Sequence, residues 1–143
     1  MQYYKRGCHT VYDCTYHIVW ITKYRHKVLK GDIAYRLIDL VRGICAQHKV
    51  EIIRGSVGKD HVHLYLQVPP SLAISRLVQY LKGKTSRKLQ IEYPSLKKRY
   101  WGRHLWGIGY FVRTSGNITD EVIKAYIENQ DKDDKFGDFQ VQD

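Results

Sequence analysis

The 143 residues suit one domain with its own hydrophobic core, and the formal net charge of +10, with a pI near 9.5, favours a polyanionic partner such as nucleic acid. The three cysteines are an odd number without a Cys-x-x-Cys spacing, which argues against a disulfide framework or a structural zinc site and favours reduced thiols in a cytoplasm. No apolar run approaches the ~18 residues of a membrane-spanning helix and no signal peptide is visible, so we expect no membrane partner.

The first half of the chain predicts a strand, a helix and a hairpin. Residues 12–22 alternate β-favouring side chains and predict the first strand. After a basic loop, Asp32 is placed to cap a helix whose apolar residues recur at helical spacing to about His48. Residues 50–57 predict a second strand, and the turn residues 58–60 lead into a third, so these two strands are expected to form a hairpin.

The second half predicts a helix, a strand and a last helix. Ser71 is placed to cap a helix that runs to about Glu92. After a basic, aromatic connector, residues 105–113 predict a fourth strand. A turn that contains Gly116 then precedes a helix from residue 120 to about residue 129.

The predicted order of elements is β-α-β-β-α-β followed by a C-terminal helix. This is the arrangement of a ferredoxin-like or RRM-like α+β domain with an antiparallel sheet. In that topology the first and third strands usually lie at the centre of the sheet. We expect residues 1–131 to form this one domain and residues 132–143 to form a polar C-terminal tail.

The third predicted strand carries two histidines on one face. Successive side chains of a strand point to opposite sides, so His61 and His63 face one way while Val62 faces the core. Two imidazoles placed in this way are close enough to bind one metal ion. Such a pair, taken alone, is more often structural.

Basic residues are interleaved with aromatic residues along the chain. Twelve tyrosines and three tryptophans offer flat faces on which unpaired bases can stack. Trp101, for example, lies within a dense basic stretch, and single-stranded nucleic-acid binding uses this mixture of cations and rings. The candidate DNA-binding residues are Lys23, Arg25, Lys82, Lys84, Arg87, Arg99 and Arg103.

The last predicted helix carries Tyr126 and Gln130. These residues are four apart and therefore lie one above the other on a single helix face. Taken alone, such a tyrosine is far more often a packing residue than a nucleophile, and such a glutamine is usually solvated.

Together with the His61-Val62-His63 triplet, this helix resembles the HUH endonuclease superfamily, in which two histidines flank a hydrophobic residue and a helical tyrosine attacks DNA. More narrowly, the chain resembles the small tyrosine transposases, usually called TnpA, of insertion sequences that move as single-stranded DNA. The resemblance covers nearly the whole chain, including residues 57–63, 82–86, 106–111 and 125–130.

The resemblance implies a DNA transposase in which Tyr126 is the nucleophile and His61, His63 and Gln130 bind a divalent metal ion, Mg²⁺ or Mn²⁺. Attack by the tyrosine would give a covalent 5′-phosphotyrosine and a free 3′-OH, so that strands can be rejoined without ATP. The resemblance also implies hairpin-bearing single-stranded DNA as the partner, and a homodimer with composite active sites whose last helix crosses over about Gly116.

Other functions stay open at this point. A relaxase or replication initiator would share the superfamily's chemistry but is typically longer, and a domesticated, repeat-associated transposase is harder to exclude. A non-catalytic RRM-like nucleic-acid-binding module would suit the fold and charge, yet its diagnostic aromatic residues would sit where His61 and His63 point. A two-histidine phosphodiesterase is weakened because no second His-x-Ser/Thr repeat occurs.

Overall fold

The computed structural model describes residues 5–6, 10–114 and 125–128 of the chain. The strands are β1 (Lys5–Arg6), β2 (Val11–Tyr12), β3 (Thr15–Ile21), β4 (Glu51–Val57), β5 (His61–Gln67) and β6 (Phe111–Arg113). The helices are α1 (Asp32–Gln47), α2 (Ile74–Glu92) and α3 (Pro94–Arg99), and a short 3-10 helix covers Lys23–Arg25. Residues 125–128 are also helical.

The main sheet has four antiparallel strands in the order β4-β5-β3-β6. The strands β3 and β5, which are the first and third of the predicted order, lie at its centre. This confirms the α+β fold that the sequence predicted and places both histidines of the triplet on a central strand. The strands β1 and β2 pair separately as a small second sheet.

One face of the main sheet packs against the helices and forms the main core. Alternation along β3 and β5 turns an apolar set toward α1 and α2, as the sequence pattern predicted. This set is closed at one end by Trp106, whose ring meets that of Trp20 edge to face at 5.7 Å. The largest buried members of this core are Ile18, Trp20, Leu29, Leu37, Leu66, Leu77, Leu81, Leu89, Leu96 and Leu105.

The opposite face, which we call the histidine face, carries His17 from β3 and His61 and His63 from β5. A second, smaller apolar cluster lies on it and consists of Val19, Ile21 and Ile127, with Phe111 and Tyr126 packed alongside. Ile127 belongs to the helical residues 125–128, so this segment covers part of the histidine face. The fold thereby brings the predicted nucleophile to the face that carries the predicted metal ligands.

Both predicted helix caps are wrong. The helix α1 begins at Asp32 itself, with Gly31 as the N-cap residue at φ +60° and without a side-chain cap hydrogen bond in the described structure. The helix α2 begins at Ile74 rather than just after Ser71. A turn closed by the amide of Leu72, which donates to the Pro69 carbonyl at 3.0 Å, occupies this stretch before the helix can start.

The predicted fourth strand is much shorter than expected. Only Phe111–Arg113 pair as a strand, and the preceding residues are irregular apart from a bridge between Thr22 and Trp106. The Lys82 ammonium donates to the carbonyls of Gly107 at 2.7 Å and Gly109 at 2.9 Å, which diverts these groups from any sheet ladder. Gly109 also adopts φ +84°, a conformation that favours glycine.

Several predictions fall on residues that the structure does not describe. Gly116, Gln130 and the tail of residues 132–143 lie outside the described ranges. The domain boundary and the turn before the last helix therefore stay predictions. Among the helices of the described residues, none is long and apolar enough to cross a membrane.

Candidate active site on the histidine face

His61 lies at the start of β5 and is oriented by the residue before it. Its Nδ1 is 2.8 Å from Oδ1 of Asp60, and the imidazole is only 2 % exposed. A carboxylate only accepts hydrogen bonds, so Nδ1 carries the proton that lies between the two groups, and Nε2 is the ring atom that could bind a metal ion. A carboxylate in this position is the usual partner of a metal-binding histidine, because it fixes both the tautomer and the ring orientation.

The imidazole of His61 occupies space that a glycine leaves open. A Cβ built on Gly58 would lie 2.6 Å from both ring nitrogens of His61, closer than any real contact allows. The amide of Gly58 also donates to the carbonyl of His61 at 2.9 Å and so closes the hairpin. Sequence reasoning recognised Gly58 as a turn residue but missed that it makes room for the candidate metal ligand.

Asp60 forms a buried ion pair with Arg25. The Oδ2 atom of Asp60 accepts hydrogen bonds from Nε at 3.0 Å and from Nη2 at 2.9 Å of the guanidinium. Burial raises the pKa of the Asp60 carboxyl, but the hydrogen bond with His61 and the charge of Arg25 outweigh burial and hold that pKa below its usual range. Arg25, predicted to bind DNA, is 2 % exposed and therefore lies within the site rather than on a DNA-binding surface.

His63 contacts a third histidine that the sequence did not assign to the site. Its Nε2 lies 3.1 Å from Nδ1 of His17 on the neighbouring strand. The ring of His17 stacks on Tyr65, with centroids 4.2 Å apart and an interplanar angle of 7°. Burial, together with the neighbouring imidazoles, lowers the pKa of His63 to about 3, so its ring is neutral at physiological pH.

Tyr126 lies against the same face of the sheet. Its ring meets that of Phe111 with centroids 5.4 Å apart, and Phe111 and His63 pair with Val19 from opposite sides. Burial raises the pKa of the Tyr126 phenol, so the hydroxyl is protonated at neutral pH and is a weak nucleophile unless its target is strongly polarised. This placement is made within a single chain.

The donor atoms of the described site fit a divalent metal ion in part. His61 and His63 supply imidazoles from one strand face, the ring of His63 is neutral, and Asp60 orients the ring of His61, as is usual for a metal-binding histidine. Within the part of the chain that the structure describes, no three His, Cys, Asp or Glu side chains form a cluster that could hold a metal ion. A third ligand is predicted from Gln130, which lies outside the described residues.

The remaining predicted DNA-binding residues fall into two groups. Lys82 is half-buried against its two carbonyl partners, and burial lowers the pKa of its ammonium, so its described role is to hold the loop of residues 107–109. Trp101 is 87 % exposed and lies close in sequence to the exposed cations Arg99 and Arg103. The residues that are exposed or partly exposed are Lys23, Lys84, Arg87, Arg99 and Arg103.

Comparison with known proteins identifies the family. Residues 10–130 match the family described as "Transposase IS200 like". The chain belongs to this family. Among the relatives of this IS200-like transposase, the ISDra2 transposase TnpA of Deinococcus radiodurans is 43% identical over 126 residues, which cover 88% of this chain and 90% of the relative. The transposase for insertion sequence element IS200 of Salmonella typhimurium is 36% identical over 134 residues, covering 94% of this chain and 88% of the relative.

Solved structures agree with this assignment. The crystal structure of a transposase from Deinococcus radiodurans R1 superposes with a TM-score of 0.81 at 40% identity, covering 88% of this chain and 97% of that one. A REP-associated tyrosine transposase bound to a REP hairpin gives a TM-score of 0.56 at 15% identity, covering 93% and 72% of the two chains, and shows the fold alone. The predicted family and fold are confirmed, and the protein is a transposase, an enzyme class that cleaves DNA.

Proposed function

We propose that this IS200-like transposase cleaves and rejoins single-stranded DNA at the ends of an insertion sequence, with Tyr126 as the nucleophile and a divalent metal ion at His61 and His63. The observation that carries the proposal is the position of Tyr126, which packs on the histidine face against Phe111. Phe111 and His63 are the cross-strand partners of Val19 on its two sides. The same face carries His61 and His63, so the candidate nucleophile and the candidate metal ligands share one surface of the sheet.

The phenol of Tyr126 is a poor nucleophile at neutral pH because burial raises its pKa. Its attack therefore requires a strongly polarised phosphate. A divalent ion, Mg²⁺ or Mn²⁺, held by His61, His63 and Gln130 would act as a Lewis acid on the scissile phosphate. The Oη atom of Tyr126 forms the new bond to phosphorus while the bond from phosphorus to the 3′ oxygen breaks. The phenol loses one proton and the departing 3′ oxygen gains one, so the products are a 5′-phosphotyrosine and a free 3′-OH.

The described residues preorganise this step. Asp60 holds His61 in the tautomer whose Nε2 can donate its lone pair, and burial beside other imidazoles keeps His63 neutral. Phe111 and the apolar cluster beneath Tyr126 fix the ring of the nucleophile, which reduces the entropy lost on reaching the reactive geometry.

Hairpin-bearing single-stranded DNA is the substrate that the surface best suits. The net charge of +10 attracts phosphates, and the exposed indole of Trp101 offers a stacking face that a fully paired duplex could not use. The structural neighbour bound to a REP hairpin supports a hairpin as part of the ligand. Exposed cations on α2 and in the connector, such as Lys84 and Arg103, would contact the phosphates.

The assembly we propose is a homodimer with composite active sites. In it the last helix crosses over about Gly116, so that Tyr126 of one subunit completes the His61 and His63 site of the other. The single chain shows the alternative arrangement, because residues 125–128 pack on their own sheet. The two arrangements use the same surface and differ only in which chain supplies the helix.

A labelled single strand with a hairpin tests the function directly. Denaturing electrophoresis after incubation with Mn²⁺ should show DNA attached to protein, and the band should vanish with a chelator. Tyr126→Phe should abolish the band and leave DNA affinity nearly unchanged, because it removes the nucleophile and little contact area. The matched control Tyr110→Phe should keep the band. A band that persists in Tyr126→Phe would contradict the proposal, and binding without cleavage by the wild type would favour a non-catalytic nucleic-acid-binding module.

A further inference from the structure

We propose that Arg25 is a positioning residue that couples docking of the helical residues 125–128, here called the nucleophile segment, to the orientation of the metal ligand His61. The inference rests on the proposed function, since it assumes that Tyr126 attacks at the His61 and His63 site. It concerns a buried cation that the chemistry above does not use.

The backbone turns Arg25 inward at a conformational cost. Tyr24 and Arg25 both adopt left-handed backbone angles, at φ +60° and φ +50°, which residues other than glycine rarely adopt. The turn is held by the Arg25 amide, which donates to the Thr22 carbonyl at 3.0 Å, and by the Thr22 hydroxyl, which donates to the His26 carbonyl at 2.8 Å. The result is that Tyr24 is exposed while the next side chain is buried.

The guanidinium of Arg25 contacts both halves of the active site. Its Nε and Nη2 atoms donate to Oδ2 of Asp60, whose Oδ1 atom is bound to His61. Its Nη1 atom points to the main-chain carbonyl of Ile127 at 3.5 Å, next to Tyr126 in the nucleophile segment. One continuous, buried set of polar contacts therefore runs from the backbone of the nucleophile segment through Arg25 and Asp60 to the imidazole.

The two ends of this set of contacts differ in strength. The bonds to Asp60 are short and charge-assisted, whereas the contact with the Ile127 carbonyl is at the long limit for a hydrogen bond. The carboxylate therefore holds the guanidinium more strongly than the Ile127 carbonyl does, and this weaker contact is the one that docking of the segment would form and undocking would release.

Coupling of this kind is reciprocal. If a docked segment favours the guanidinium position that fixes Asp60 and hence His61, then an ion at His61 must favour the docked segment by the same factor. Arg25 would thus make the segment dock most firmly when the site is ready to receive a phosphate.

The test compares Arg25→Lys with the wild type in three measurements. These are the rate of adduct formation at saturating DNA, the Mn²⁺ affinity by calorimetry, and hydrogen exchange of the peptide spanning residues 125–128 with and without Mn²⁺. A lysine keeps the positive charge but cannot reach both partners with a planar fork. The control is Arg36→Lys, because Arg36 makes a similar two-bond pair with Glu92 at 2.7 and 3.0 Å on the surface.

We expect Arg25→Lys to slow adduct formation by about 10- to 100-fold, the range for small misplacements of reacting groups, with an unchanged dissociation constant for DNA. Exchange of the 125–128 peptide should become faster and lose its slowing by Mn²⁺, while Arg36→Lys resembles the wild type in all three measurements. Wild-type rates with intact Mn²⁺-dependent protection in Arg25→Lys would overturn the coupling, and equal losses in Arg36→Lys would reduce it to general destabilisation.

If Arg25→Lys fails to fold, Asp60→Asn tests the same contacts with a residue of the same size. It should lower Mn²⁺ affinity and also speed exchange of the 125–128 peptide, whereas a change in Mn²⁺ affinity alone would overturn the coupling. Absence of any adduct with the wild-type protein would instead count against the proposed function, and the exchange measurements would still decide the coupling.

Discussion

The close approach of Gly58 to the His61 ring makes Gly58→Ala a sharp test of the site. The added Cβ would lie 2.6 Å from both ring nitrogens, so the ring must move. It cannot move freely, because it is 2 % exposed and its Nδ1 is held by Asp60 at 2.8 Å. The backbone at Gly58 is not left-handed, so the cost comes from the clash rather than from φ.

The magnitude follows from two costs. Overpacking in a buried site costs about 1–3 kcal/mol, and loss of a hydrogen bond to a charged group costs about 1.5–3 kcal/mol, of which relaxation recovers a part. We therefore expect Gly58→Ala to lower the free energy of unfolding by about 2–4 kcal/mol in urea titrations. Because the ring carries the candidate ligand atom with it, Mn²⁺ affinity by calorimetry should fall by about 10- to 100-fold.

Two variants isolate the cause. Gly43→Ala adds a methyl group in α1 that meets nothing within 4 Å, and it should raise the free energy of unfolding by about 0.5–1 kcal/mol. In a His61→Ala background the clash is gone, so Gly58→Ala should then cost less than about 0.5 kcal/mol. An equal cost with and without the imidazole, or wild-type Mn²⁺ affinity in Gly58→Ala, would refute the reasoning.

Three further predictions follow from other parts of the molecule. Burial raises the pKa of Tyr100 to about 12, above the ~10 of the unfolded chain, because it disfavours the tyrosinate. The phenol is protonated in both states below about pH 10, so the free energy of unfolding should be independent of this group there and should fall as pH rises from about 10 toward 12. Unfolding measured between about pH 9 and 11.5 should show this slope, and Tyr100→Phe should reduce it. Lys82→Met should lower the free energy of unfolding by about 1–3 kcal/mol because it removes the donor to two backbone carbonyls. Lys84→Ala should leave stability intact, and the magnitude of the slope of log DNA affinity against log salt concentration should decrease by about one. Composite sites predict that a mixture of Tyr126→Phe and His61→Ala subunits regains cleavage that neither parent has; an inactive mixture, shown by tagged pull-down to contain heterodimers, would place the tyrosine in its own subunit's site.

The sequence predicted what depends on local periodicity. Alternation along β5 placed His61 and His63 on one face, and the turn before them predicted the hairpin with β4, because both signals are read within a few residues. His17 escaped assignment because its approach to His63 depends on the register of β3 against β5, in which Val19 pairs with His63. Alternation gives the face of a strand but not its register.

Charge was a poorer guide to position than pattern. In the sequence, Arg25 and Lys82 each stand among other basic residues and resemble surface cations. In the structure, Arg25 lies in a buried ion pair and Lys82 donates to loop carbonyls. Burial of a cation depends on partners distant in sequence, here Asp60 and residues 107–109. The helix α3 (Pro94–Arg99) was missed for another reason: with Leu96 as its one buried residue, six residues are too few to show helical periodicity.

The measurement that tests the central claim most directly is the identification of the residue that carries the DNA. After reaction of the wild-type protein with a hairpin-bearing single strand and Mn²⁺, nuclease and protease digestion followed by mass spectrometry should place one nucleotide on the peptide that contains Tyr126. The linkage should run through the 5′-phosphate and leave a free 3′-OH on the released strand. A phosphate mapped to Tyr110, Tyr100 or any other tyrosine, or a linkage through the 3′-phosphate, would contradict the account.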